Sequence, residues 1–326
     1  MRGSATAVSA GTLAEAGIDT RLLDCWETTL SLGLLAEGFR DIRTLLGAHW
    51  WFAPPAEEGR LPCLDVEPAA QRLERLTGLR TLRRCLDGES LPGLCGRELD
   101  QGRTPLVVTD AYLLPWCPYY GTAHVEHSFV VTRTSGRPIS LSVVDAYDNR
   151  TEWGTAAPLE TVADAAAVAA IEQDASTRLV TLVPTGPATE PDRTALLRSN
   201  ISGLASWAEA DPYAWFIERY CHADVELAVF GAFCEACWTI ERRRALYAAW
   251  LDDLAAQPGS PLPDGFPERF RSQAVAAWSD LNRFTYLGLR RLRAGRKPAQ
   301  GVGELVAAAA AAERALAAEL TAYLAG

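Results

Sequence analysis

The sequence predicts an α+β protein whose C-terminal part is entirely helical. Three observations predict it. Runs of β-branched residues crowd into residues 105–183. A turn-rich stretch, Thr185-Gly186-Pro187-Ala188-Thr189-Glu190-Pro191, closes that region. Every apolar pattern beyond it recurs at three- and four-residue spacing.

Taken in order, residues 24–38 read as a helix. Asp24 with Glu27 three positions later is the capping-box pattern, which places Cys25 in the first turn, and Leu30, Leu34 and Leu35 form its apolar stripe. A variable region follows, with helices expected at about 67–86 and 91–101. Pro105 to Tyr112 reads as a strand, and His127–Arg133 with Ile139–Asp145 as a hairpin around Ser135-Gly136-Arg137-Pro138. A helix near 158–174 and the strand Arg178–Val183 complete the unit. Past the linker, helices are expected at 193–209, 211–255 (with a break), 266–294 and 301–325, the proline-rich stretch Pro258–Pro267 separating the middle pair. Two domains follow, residues 1–185 and 186–326, with no internal repeat.

Composition narrows the function classes. With 48% hydrophobic and 22% charged residues, 326 residues can build full cores. A net charge of −10 argues against nucleic acid as the main partner. The start Met1-Arg2-Gly3-Ser4-Ala5-Thr6-Ala7 lacks the apolar core of a secretory signal, and charges at Glu304, Glu313, Arg314 and Glu319 interrupt the longest apolar run, so no membrane span is expected. Eight cysteines without such a signal point to reduced thiols and a cytoplasmic location. Lys297 is the only lysine, a bias that carries no mechanism.

Three stretches carry the chemistry: Asp24-Cys25-Trp26-Glu27-Thr28-Thr29, His124 through Thr132, and Val143 through Asn149. They place a cysteine at a helix start, a histidine leading into an apolar strand and an acid closing the next strand. A thiol nucleophile, a base and a group that orients the base are what thiol acyl transfer requires. The helix dipole favours a thiolate at Cys25, while Asp24 and Glu27 oppose it, so the histidine must supply most of the activation. His127 opens the strand directly and is favoured as the base over His124, which sits three residues earlier. Helix-borne Cys, strand-borne His and next-strand acid is the papain-like arrangement. A buried cysteine taken singly is usually inert, and only the three contexts together outweigh that.

These residues also resemble a known family, proteins like butirosin biosynthesis protein H. The likeness rests on Asp24-Cys25-Trp26-Glu27-Thr28, on Asp110-Ala111-Tyr112-Leu113-Leu114-Pro115-Trp116 running into His124–Thr132, and on Val144-Asp145. It covers roughly residues 20–155, and the helical remainder looks like the domain that often follows. The resemblance implies a papain-like cysteine-protease-type N-terminal domain and a helical C-terminal domain covering its active site. It implies an acyltransferase in specialised-metabolite biosynthesis, with Cys25 as nucleophile, His127 as base and Asp145 as orienting acid. No resident cofactor is implied: the acyl group arrives on the phosphopantetheine arm of an acyl or peptidyl carrier protein and leaves on a small-molecule amine. Homo-oligomerisation is left open.

One departure stands out. Papain-type peptidases carry a glutamine about six residues before the cysteine as an oxyanion donor, where this chain has Ile18-Asp19-Thr20. The backbone N–H of Cys25 and a second donor must serve instead. Trp26, Tyr112, Trp116, Tyr119 and His124 are the candidates for substrate contact, with Tyr120 beside them, though such an aromatic cluster could equally be core. Cys234-Glu235-Ala236-Cys237 reads as buried helix cysteines ahead of a redox or zinc motif, and His49 as structural. The basic islands Arg242–Arg244 and Arg290–Lys297 read as solvated helix faces ahead of a docking site for an anionic carrier. A cysteine hydrolase with the same triad and a non-catalytic carrier-binding module remain as alternatives.

Overall fold

A computed structural model describes residues 7–50, 69–136, 139–151, 153–205, 211–221, 225–297 and 301–325. The chain divides into two compact units, Met1–Ile42 with Ala70–Thr189, and Arg43–Ala69 with Glu190–Gly326. Residues 43–50 therefore belong with the helical unit, although the sequence reading assigns them to the first domain. No helix among the described residues is long and apolar enough to cross a membrane.

The first unit is α+β. After a short helix α1 (Thr12–Glu15) and a 3-10 turn (Thr20–Leu22) comes α2 (Cys25–Ala36). Later in the chain lie α4 (Ala69–Thr77), β1 (Leu79–Cys85), α5 (Leu91–Asp100), β2 (Leu106–Asp110), β3 (Glu126–Ser135), β4 (Ser140–Asp145), β5 (Asn149–Thr151), β6 (Gly154–Ala156), β7 (Leu159–Ala163), α6 (Ala165–Gln173) and β8 (Arg178–Pro184). Six strands form one antiparallel sheet in the order β1-β8-β2-β3-β4-β7, and β5 pairs with β6 alone. Arg137 and Pro138, in the expected hairpin turn, lie outside the described residues.

Two expected helices are half strand. The 67–86 helix stops at Thr77, and Leu79–Cys85 runs as β1. The stop is steric: Gly78 sits at φ +66, and a Cβ there would meet the Gly186 carbonyl oxygen at 2.3 Å. Likewise the first part of 158–174 is β7, and α6 starts only after Asp164, whose side chain accepts from the Ala167 N–H at 2.9 Å. Both misread segments are the edge strands. They bury least, so their periodicity is weakest, and Leu73, Leu76, Leu79 and Leu82 imitate a helical stripe straight across the stop.

Helix α2 lies against the middle of the sheet. Gly33 makes the close approach possible, because a Cβ there would stand 3.0 Å from a Leu106 methyl and 3.3 Å from one of Leu182. Leu32, Leu34 and Leu35 of the same helix are buried. Burial of such side chains contributes about 1.5–3 kcal/mol each.

The second unit is helical: α3 (Ile42–Gly47, its first residue counted with the other unit), α7 (Arg193–Ala205), α8 (Pro212–Tyr220), α9 (Leu227–Ala255), α10 (Phe266–Phe270), a π-helical turn (Arg271–Val275), α11 (Ala276–Arg293) and α12 (Val302–Ala325). Its aromatic core surrounds one carboxylate. Glu313 is fully buried and accepts from Arg244 Nε (2.6 Å) and a terminal guanidinium nitrogen (3.0 Å), Trp278 Nε1 (2.6 Å), Tyr213 Oη (2.7 Å) and Trp50 Nε1 (3.0 Å). The Arg242–Arg244 island is thus no solvated face. Successive residues point around α9, so Arg244 faces the core and Arg242 lies buried over Trp238 at 4.2 Å. Arg290, Arg291 and Arg293, by contrast, complete the last turn of α11, where cations offset the helix dipole. Cys234 and Cys237 sit one turn apart in α9, and burial pushes both thiols up. His49 is buried as well.

Candidate active site

The capping box is present. Asp24 accepts from the Glu27 N–H at 2.7 Å, and Glu27 returns a bond to the Asp24 N–H at 3.0 Å. Cys25 is therefore the first residue of α2, half-buried, and its thiol donates to the Glu126 carbonyl at 3.7 Å. The N–H groups of Cys25 and Trp26 have no acceptor among the described residues, as first-turn amides do not. Asp19, at the place where a glutamine would stand, is committed to Arg21 through two side-chain bonds of 2.9 and 2.7 Å. It offers no donor, and Arg21 holds its carboxyl below the usual range against the opposing effect of partial burial.

His127 is the second residue of β3, opposite Thr109 in β2. Its neighbour Ser128 donates to Thr29 Oγ1 of α2 at 3.1 Å, which ties the strand to the helix one turn below Cys25. Asp145 closes β4, the adjacent strand. The imidazole Nε2 and Asp145 Oδ2 lie 2.7 Å apart, with 2% and 6% of the two residues exposed. With Nε2 engaged, Nδ1 is the nitrogen open to the thiol. Burial alone would strip the proton from His127. The Asp145 charge and hydrogen bond overcome this, Cys25 adds to them, and the imidazole holds its proton well above the usual histidine range. The structure thus brings Cys25, His127 and Asp145 together.

His124 is elsewhere. It is exposed, bonds Asp110 through Nδ1 and stacks on Tyr112 at 4.4 Å. Partial burial would raise the Asp110 carboxyl, but His124 and the N–H groups of Tyr112 and Val125 hold it low. Tyr119 is buried, with its ring 5.2 Å from Trp153 on the β5–β6 hairpin, Tyr120 is exposed, and Trp26 is half-buried at the second position of α2. Trp116 does not simply wall a pocket: its indole N–H donates to Asp145 Oδ2 at 3.1 Å.

Two neighbours escape the sequence reading. Tyr147 sets its ring 5.4 Å from His127, accepts from Asn149 Nδ2 at 2.6 Å and donates its backbone N–H to Asp145 Oδ1 at 3.1 Å. Cys117 is a second buried thiol, pushed up by burial and lying within the electrostatic reach of His127, Asp145 and Cys25. Local context could have found Tyr147, since an aspartate at a strand end often accepts from the backbone N–H two residues on, as Asp145 does here. Nothing in the spacing points to Trp116 or Cys117, whose loop is folded by turns.

Neither a family model nor a curated protein matches this chain.

Proposed function

We propose that the chain is a cysteine acyltransferase with a papain-like catalytic unit, taking an acyl group from a carrier-protein thioester and passing it to an amine. One observation carries the reading: Cys25 opens a capped helix beside a buried imidazole that a buried carboxylate keeps charged. A protonated imidazole is the counter-ion that a reactive thiolate needs.

The Cys25 sulfur attacks the thioester carbonyl, and the oxyanion meets the N–H groups of Cys25 and Trp26 at the positive end of α2. Collapse breaks the bond to the pantetheine sulfur, which leaves with the proton from His127, and the acyl group remains on Cys25. This exchange of one thioester for another is nearly isoenergetic. An amine then attacks, His127 accepts its proton, and the tetrahedral species expels the Cys25 thiolate to release an amide, which draws the sequence downhill. Asp145 holds the ring in place through both steps.

Intact-mass spectra after mixing with an acyl-loaded carrier protein test the reading. Wild type should gain one acyl group, Cys25→Ala none, and an added amine should discharge the adduct as amide. No adduct on wild type, or an equal adduct on Cys25→Ala, removes the mechanism. Discharge to free acid at one rate with or without amine makes the protein a hydrolase.

A further inference from the structure

We infer that Trp116 is a positioning residue whose indole N–H, sharing one carboxylate oxygen with the His127 imidazole, sets the pH at which that imidazole gives up its proton. The inference rests on reading Cys25 and His127 as the working pair.

Asp145 receives three donors and is almost sealed from solvent. Oδ2 takes His127 Nε2 at 2.7 Å and Trp116 Nε1 at 3.1 Å, and Oδ1 takes the Tyr147 N–H at 3.1 Å. The indole is aimed by packing: its ring stands edge-to-face on Phe129 (5.5 Å, 84°), a fully buried residue two places beyond His127 in β3. A residue serving only as a pocket wall would need no donor at that oxygen.

An N–H on Oδ2 draws off part of the negative charge that the imidazolium feels. Without it the carboxylate serves His127 alone, and the imidazole keeps its proton to higher pH. The other titratable groups around the ring are Cys25 from α2, Cys117 and Tyr119 from the loop before β3, and Tyr147 after β4. Burial pushes the last three up, toward their neutral forms, so they do not replace the missing donor with charge.

Trp116→Phe keeps an aromatic ring and removes the N–H. Imidazole resonances of His127 followed by NMR across roughly pH 5 to 11 should show a midpoint raised by about half a pH unit or more, roughly threefold in proton affinity. In wild type the Trp116 indole N–H resonance should shift with the same midpoint as His127. A Trp116→Phe midpoint that stays or falls in a cooperatively folded variant overturns the inference, and so does an indole resonance that ignores the His127 titration. If the variant fails to fold, the wild-type indole resonance alone decides. Neither readout needs an acyl donor, so absence of an acyl adduct would end the proposed function and leave this result standing by itself.

Discussion

Burial opposes a proton on the His127 imidazole, but the Asp145 charge and the short bond from Nε2 outweigh it and hold that proton well above the usual histidine range. The proton is therefore held more tightly in the folded chain than in the unfolded one. The stability this contributes is complete below the ordinary histidine value of about 6.5 and is lost as pH rises through the folded value. Melting curves should accordingly show wild type losing its advantage over His127→Gln as the solution turns alkaline. Parallel curves for the two proteins would contradict the linkage. Asp145→Asn keeps an acceptor but loses the charge, and under the proposed function acylation of Cys25 by a thioester should slow by roughly 10²–10⁴-fold, measured by rapid-quench mass spectrometry. The three residues were legible in the sequence because each owes its place to local context: a cap, the start of a strand, the end of a strand. Trp116 was legible only as a candidate for substrate contact; its bond to Asp145 was not, because an aromatic in a loop advertises area and hides its hydrogen bond.

Among the elements, α2 carries most of the site's precision. Asp24→Ala removes the side-chain half of the capping box and should destabilise the protein by about 1 kcal/mol, seen as a lower urea midpoint. Gly33→Val thrusts methyl groups at Leu106 and Leu182, a misfit of about 1–3 kcal/mol, and lifts the helix that presents Cys25. Iodoacetamide labelling of Cys25 should slow in Gly33→Val but not in Asp24→Ala, since only the former shifts the helix against β3. The capping box could be read from two residues three apart. The edge strands could not: β1 and β8 pair across about a hundred residues of sequence, and local spacing alone imitated a helix.

For the molecule as a whole, the two units rest on different physics. The sheet unit is held by aliphatic layers, the helical unit by aromatics around a buried ion pair. Glu313→Gln leaves Arg244 charged and without its counter-ion, which should lower stability by about 3–5 kcal/mol. Hydrogen exchange should report the loss in α9, α11 and α12 while β2, β3 and β4 keep their protection; uniform loss would show that the units do not unfold separately. The division into a mixed half and a helical half was legible from the change of periodicity after Thr185. The place of residues 43–50 was not, because it depends on partners far along the chain. Asn200 of α7 grips the Ala48 carbonyl and the Trp50 N–H at 2.9 Å each, and Trp50 reaches Glu313 at 3.0 Å. A chain cut within residues 185–191 would thus not yield two self-sufficient halves. The front piece would carry an orphaned tryptophan with a taste for aggregation, and the rear piece a hole where that ring belongs. On the ribosome the same tryptophan must wait, uncovered, until Glu313, 263 residues further along, has been made.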